Sequence, residues 1–471
     1  MNNHSEHVFG GRLVMVGFGC IGQGTLPLLL RHIAMRPEQI LVVKPHASGL
    51  EVAQQHGVRS LVTPLDADNL QQVLAPQLGP GDFLLNLSVD VSSVALIALA
   101  RERGALYLDT CIEPWAGGYL DAALTPAQRT NYALREAALA LRSPARNGPT
   151  AVLTHGANPG LVSHFVKQAL LDIAAATGAA RRAPRTREGW GRLAQSLGVR
   201  VIHIAERDTQ VGTLRKSVGE FVNTWSVEGF VDEGTQPAEL GWGSHERHFP
   251  GDGVRHAAGS RAAIYLNRPG ASTRVRSWTP LAGEQHAFLV THAESIAIAD
   301  HLTLGDPAQP SYHPTVHYAY HPCDDAVLSL HELAGRNWRQ QAGKRVLKDE
   351  IVSGVDALGV LLMGHARGAY WYGSQLSIEQ ARALCPHNSA TSLQVAVAVM
   401  AGVVWAMKNP ARDVVEPEDL PYDEMLRLCR PYLGDMVGAY TDWTPLAGRG
   451  WLFSEDVDHD DPWQFKNFRV A

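Results

Sequence analysis

The five cysteines, Cys20, Cys111, Cys323, Cys385 and Cys429, are scattered, and no two stand in C-x-x-C spacing. This argues against a zinc knuckle and a disulfide framework, and predicts a reducing, cytoplasmic home. Basic charge is also in short supply. Lys and Arg total 41 against 47 Asp and Glu, a net charge of -6, so no nucleic-acid partner is expected, and small cationic ligands suit the balance. No signal-peptide core is visible in Met1–Gly10. The most apolar stretch, Val395–Met407, is too short to span a bilayer and predicts a buried helix rather than a membrane partner. Neither G-x-S-x-G nor H-E-x-x-H occurs, which removes the commonest serine-hydrolase and zinc-protease readings. His313, His317 and His321 recur every four residues, but Pro314, Pro322 and the run Thr-Val-His-Tyr-Ala-Tyr-His predict a strand, so no metal site is expected.

What the chain does have is a glycine turn in the right context. Arg12–Gly24 reads as a short apolar strand, then Gly17, Gly19 and Gly22 in G-x-G-x-x-G spacing, then an apolar helix. The first glycine permits the bend, the second lets the backbone approach a pyrophosphate, and the third lets helix and strand pack closely. The helix start, at Cys20 and Ile21, supplies amides for the phosphate charge. Up to about residue 156, β-branched runs alternate with helical segments: Leu13–Val16, Ile40–Val43, Ser60–Val62, Phe83–Leu87, Ala105–Leu108 and Ala151–Thr154 are the candidate strands. This pattern predicts an α/β fold of Rossmann type, a doubly wound parallel sheet. Ligands in such sheets bind beyond the carboxyl ends of the strands. Asn86, Ser88, Thr110, Asn158 and Pro159, in the loops 86–90, 109–113 and 155–160, are therefore candidate cofactor neighbours beside the glycine turn.

Beyond this domain (residues 1–156) the texture changes. Residues 199–300 and 312–322 alternate with period two and show no regular crossover helices, which predicts a second α+β domain, 157–390, with a mixed or antiparallel sheet. The C-terminal segment, 391–471, opens with a long apolar helix expected to return to the dinucleotide domain, and continues in Pro-rich irregular structure.

Three segments of the second domain carry candidate chemistry. In Val199–Asp208, alternation places Ile202, Ile204, Glu206 and Asp208 on one strand face, which makes Glu206 a candidate for a cation or for an ion pair with Arg207. In Phe221–Gly234 it places Phe221, Asn223, Trp225 and Val227 together, with Glu233 past a bend. A tryptophan near carboxylates suits an alkylammonium, although Trp225 taken alone reads more readily as core. In His286–Ile298 it places Phe288, Val290, His292, Glu294 and Ile296 on one face; alone His292 reads first as a hydrogen-bonded core histidine, and in a cleft it could take a proton near neutral pH.

With Gly17–Gly24, Asn86–Asp90, Asp109–Trp115, Gly156–Gly160, His203–Gln210, Asn223–Gly229, His292–Ala299 and Tyr370–Gln375 together, the chain resembles the bacterial homospermidine synthases almost end to end. These resemble saccharopine reductase and carboxynorspermidine dehydrogenase. The resemblance implies a homodimer with NAD as a bound prosthetic group, joining two putrescines, or spermidine and putrescine, into homospermidine by oxidation to an imine, amine exchange and re-reduction. It also implies residue roles: Trp225 for cation–π positioning, Glu206 and Glu233 for ammonium groups, Asn158 and His292 near the reacting nitrogen, and Asp90 and Glu113 along the entrance or inner cleft. An amine has a pKa of about 10, so some group must first remove its proton; His292 is the first choice, Glu206 or Glu233 the second. The pattern departs at Lys44, which stands where relatives carry an acid for the adenosine ribose and could meet a 2′-phosphate. A saccharopine-type dehydrogenase is the alternative, and it should display arginines for substrate carboxylates.

Overall fold

The run Leu13–Val16 is apolar and buried at every residue, as a central parallel strand covered on both faces must be. In the computed structural model, which describes Ser5, residues 7–179 and residues 182–470, it sits inside a seven-stranded parallel sheet. The order is Arg59–Val62, Ile40–Lys44, Leu13–Val16, Phe83–Asn86, Leu106–Asp109, Ala151–Val152 and Val414–Val415. The order reverses between Leu13–Val16 and Phe83–Asn86, which opens a crevice at the carboxyl ends of these strands.

The second sheet is mixed. Its path runs Gly253–Arg255, Ala263–Pro269, Pro237–Gly241, Thr315–His321, Val201–Asp208, Val355–His365, Gly368–Ser377 and Asp435–Thr441, and the hairpin Arg274–Thr279 with Gly283–Phe288 joins through Thr315–His321. Thr315–His321 pairs parallel with Val201–Asp208; the other pairings are antiparallel.

The helix Ala390–Lys408 packs on the helix Cys20–His32 and the strand Leu106–Asp109 of the nucleotide sheet, and on Val355–His365 and Gly368–Ser377 of the second. It is apolar enough for a membrane span by length and hydropathy, yet 94% of its most apolar window is buried inside the protein. Downstream, the C-terminal segment is more regular than its prolines suggest. Val414–Val415 edges the first sheet, and Asp435–Thr441 edges the second.

Two further ties join the halves. Glu239 accepts from the backbone amides of Asn131 (2.7 Å) and Tyr132 (3.0 Å) and from Thr291 Oγ1 (2.5 Å), capping the helix Asn131–Leu139. Arg135, buried, forks onto Glu416 (2.6 and 2.8 Å) and reaches Asp300 (2.7 Å).

Two strand readings need correction. Phe221–Asn223 ends a strand, Trp225 lies in the following bend, and Glu233 sits on the helix Val227–Thr235. Ser226 caps that helix through the amide of Gly229, and Val227, Phe230, Val231 and Gly234 are buried at helical spacing, so period 3.6 prevails over the apparent alternation. Likewise the strand Gly283–Phe288 stops early, and His292 is the N-cap of the helix Ala293–His301. That helix is buried on nearly every side, so its sequence carries no period to separate helix from strand. Residues 199–301 therefore hold two α-helices, Val227–Thr235 and Ala293–His301, among their strands.

Candidate active site

At the turn after Leu13–Val16, Gly17 has φ +85°, and a Cβ there would stand 2.5 Å from the carbonyl carbon of Leu87. A Cβ on Gly22 would meet Phe18 Cδ2 at 3.0 Å, which is the close packing of helix on turn. Gly19 differs: nothing lies within 4 Å of its Cβ position, so the backbone borders open space just where the helix Cys20–His32 begins. The helix has neither a side-chain cap nor an acid in its first turn, leaving its amino end to an anion. Asn86 is buried under the neighbouring loop, donating to Ser93 Oγ and Tyr107 (both 3.3 Å) and accepting from Ser88 Oγ (2.6 Å). This cradle fits a dinucleotide pyrophosphate. Lys44 turns its ammonium onto the carbonyls of Phe18 (3.3 Å) and Ser48, so its charge is already engaged in closing the turn.

Beside the cradle, a cavity of about 130 Å³ is lined by residues of both domains. Ile21, Ser88, Thr110 and Glu113 come from the nucleotide domain, Asn158 and Pro159 from the loop just past it, and Glu206, Trp225, Glu233 and His292 from the second. Cys20 and Asn86 are not among the lining residues. No lysine or arginine is among the lining residues.

Glu206 is the centre of the polar wall. Its Oε2 accepts from Asn158 Nδ2 at 2.7 Å and from the Tyr318 hydroxyl at 2.5 Å, and Asn158 also donates to the Tyr318 oxygen at 2.7 Å. Burial, reinforced by Asp208 and opposed by the Tyr318 and Asn158 bonds, pushes the Glu206 carboxyl up to about 7. Opposite it, His292 Nε2 lies 2.9 Å from Glu233 Oε2, and Nδ1 lies 3.2 Å from Glu294 Oε1. Desolvation of this buried ring favours the neutral form, but the two flanking carboxylates overcome it and hold the imidazole well above its ordinary 6.5. His292 is therefore a cation at neutral pH. The Glu233 carboxyl is raised by burial, with His292 working against the rise.

Trp225 is half-buried, with Nε1 donating to the Tyr320 hydroxyl at 3.3 Å and its ring tilted on Phe230 at 5.3 Å. Glu113, buried on the opposite side, is pushed up to about 8 by desolvation and by Asp232. Asp90 lies outside the lining, exposed at a left-handed loop position (φ 64°). Its field reaches Asp232, whose carboxyl burial pushes up to about 7 with help from Asp90, Glu233 and Glu228.

Tyr318 and Tyr320 escape the sequence reading, which dwells on the histidines around them. The parallel register aligns Tyr320 with Glu206 and Tyr318 with Ile204, so both tyrosines share the Glu206 face, while His317 lies against His203 with ring centroids 4.1 Å apart. The alternation of Tyr318 and Tyr320 is the signal that could have found them. Thr391 also lines the cavity, from the start of the helix Ala390–Lys408.

Residues 13–152 match the saccharopine dehydrogenase NADP binding domain, and residues 156–441 the saccharopine dehydrogenase C-terminal domain. A homospermidine synthase of Blastochloris viridis is 56% identical over 468 residues, spanning 98% of each chain. One from Mesorhizobium japonicum is 49% identical over 480 residues, spanning 100% of this chain and 99% of the relative. Among solved structures, the homospermidine synthase of Legionella pneumophila in complex with NAD superposes with a TM-score of 0.92 at 47% identity, covering 98% of both chains. Yeast saccharopine dehydrogenase (L-Glu forming) shares the fold, with a TM-score of 0.50 at 11% identity over 92% of this chain and 100% of its own.

Proposed function

The chain belongs to the homospermidine synthase family, and from that premise we propose how its residues carry the conversion of two putrescines to homospermidine and ammonia. The observation that carries the reading is the cavity itself: Glu113, Glu206, Glu233 and the Trp225 ring, with no lysine or arginine and with the His292 cation already flanked by Glu233 and Glu294, suit a diamine better than a dicarboxylate. The saccharopine-type alternative lacks the arginines it needs.

Gly17, Gly19, Gly22, Cys20, Ile21, Asn86, Ser88, Thr110, Asn158 and Pro159 would hold NAD, which would supply a reversible hydride acceptor, so that the overall conversion would carry no net redox change. Asp90 and Asp232 at the mouth attract the diammonium substrate, and Glu113 and Glu233 receive its distal charge. Trp225 offers its ring face to the alkylammonium. Before the carbon beside the reacting nitrogen can lose hydride, that nitrogen must lose a proton. We assign this proton to Glu206 rather than His292, because His292 is already protonated between two carboxylates whereas Glu206 sits near neutrality. Asn158 and Tyr318 fix one carboxylate oxygen, leaving Oε1 outside those two bonds. His292 offsets the charge of Glu233 and Glu294. The reading also carries a cytoplasmic homodimer, which unpaired cysteines and the exposed run Trp451, Leu452 and Phe453 support.

Protein incubated with putrescine and trace NAD is expected to form homospermidine and ammonia over many turnovers, followed by chromatography, without accumulating NADH. Product that stops at one equivalent of added NAD overturns the reading.

Trp225→Ala is expected to lower kcat/KM about thirtyfold, and Trp225→Phe less, since phenylalanine retains part of the π face worth up to about 2 kcal/mol to a desolvated cation. Melting curves of both variants should stay close to the parent. Unchanged turnover per folded molecule in Trp225→Ala would remove this ring from substrate binding.

A further inference from the structure

Resting on that reading, we infer that Tyr318 is a positioning residue for the reaction: its hydroxyl holds the Glu206 carboxylate in place and sets the pH at which Glu206 can take the substrate's proton. The geometry is specific. The hydroxyl lies 2.5 Å from Glu206 Oε2, in the range of a charge-assisted bond, and receives Asn158 Nδ2 at 2.7 Å, so its one hydrogen has one destination. The ring cannot swing away. It stacks on Tyr320 at 5.1 Å with planes 5° apart, and its other neighbour is the His292 ring at 4.3 Å. Tyr320 in turn accepts from Trp225, so one strand face, Tyr318 and Tyr320, ties the proton acceptor, the buried imidazolium and the aromatic wall into one arrangement.

The groups acting on Glu206 divide into two sets. Asp208, two residues along the same strand, and Asp356, facing Asp208 across the sheet, both carry carboxyls and are fully buried. Asp208 is held by Gln210 and Thr224, and Asp356 accepts from Thr391 at 2.5 Å and lies close enough to Glu206 for the two carboxyls to act on each other directly. Like charges in a dry setting resist ionisation together, so this side disfavours the Glu206 anion. Tyr318 and Asn158 oppose it by donating to the anion, with the His292 cation helping from the far side. The tyrosine itself stays a donor at any working pH, since burial and the Glu206 charge push its own proton loss far upward. Glu206 thus becomes able to take a proton near neutrality instead of well above it.

Tyr318→Phe removes the hydroxyl and little else. Loss of one hydrogen bond to a charged group is expected to move the acidic limb of the kcat/KM–pH profile up by about one pH unit, giving about a tenfold loss on the acidic side that recovers as pH rises. A ring that served packing alone would lower activity equally at all pH values, and that result, or an unmoved limb, overturns the inference. Calorimetry of diamine binding in buffers of differing ionisation enthalpy gives a second readout that needs no turnover. Near neutral pH, the variant should start with Glu206 more fully protonated and release more protons on binding a diammonium ligand than the parent does; equal release counts against the inference. Failure of the parent protein to make homospermidine would instead strike the proposed function, so the two are told apart.

Discussion

Glu206→Gln is expected to lower kcat by about a hundred- to ten-thousandfold, the span associated with a lost general acid–base. Glutamine keeps the length of the side chain and can still accept from Tyr318 and Asn158 through its amide oxygen, so the loss isolates proton transfer. In the parent, activity should fall as pH drops through about 7, because a protonated Glu206 cannot take the substrate's proton. The variant should lack that limb. Stability should move the other way. The folded state raises this carboxyl above its ordinary 4.5 to about 7, so its contribution is fully present below the ordinary value and is lost as pH rises through about 7. An uncharged glutamine escapes that loss, and at about pH 8 the variant should melt no lower than the parent. Product assays and melting curves across pH test both halves; full activity in Glu206→Gln moves the proton acceptor elsewhere.

His292→Asn is expected to cost about 3–5 kcal/mol of stability near neutral pH, because it strips the cation from between two buried carboxylates. In the parent, the imidazole is raised above 6.5, so its stabilising contribution is complete below that value and persists until the raised folded value is passed. In the variant, Glu233 and Glu294 are left facing each other without a counter-charge. Acid relieves this by protonating Glu233, whose carboxyl burial already raises, so the deficit should be large at about pH 8 and shrink towards about pH 5. Thermal melts at both ends decide it. A deficit independent of pH means that the three groups do not form a charged cluster.

Much of the nucleotide domain is legible in the chain itself, because its strands are short apolar runs separated by turns and its glycine turn has one geometrical meaning. Leu13–Val16, Ile40–Lys44 and Phe83–Asn86 fall where the pattern places them, within a residue. Glu206 is also reached by alternation along Val201–Asp208. The readings of Trp225 and His292 rest on alternation that the fold does not keep, and Glu233, placed past a bend, lies on a helix: all three lie beyond the ends of strands, where a bend or a helix brings side chains together across elements. What assembles them is pairing between distant segments, such as the register that sets Tyr320 beside Glu206, and a single sequence does not display register. Lys44 shows the opposite limit. Its position is visible in the chain, but its partners are backbone carbonyls, which composition cannot reveal.

The helix Ala390–Lys408 gives the molecule an order of assembly. A ribosome that has released only the first 380 or so residues has made the glycine turn and nearly all the cavity wall, yet the apolar side of Cys20–His32 has no cover and Ala151–Val152 has no outer neighbour until Val414–Val415 arrives. Thr391 too comes only with this late segment. Truncation from the carboxyl end would strip the second sheet of Phe465, Phe468 and its edge strand Asp435–Thr441 first, and once it passed Val414 it would also uncover the nucleotide domain, although the glycine turn is written at the amino end.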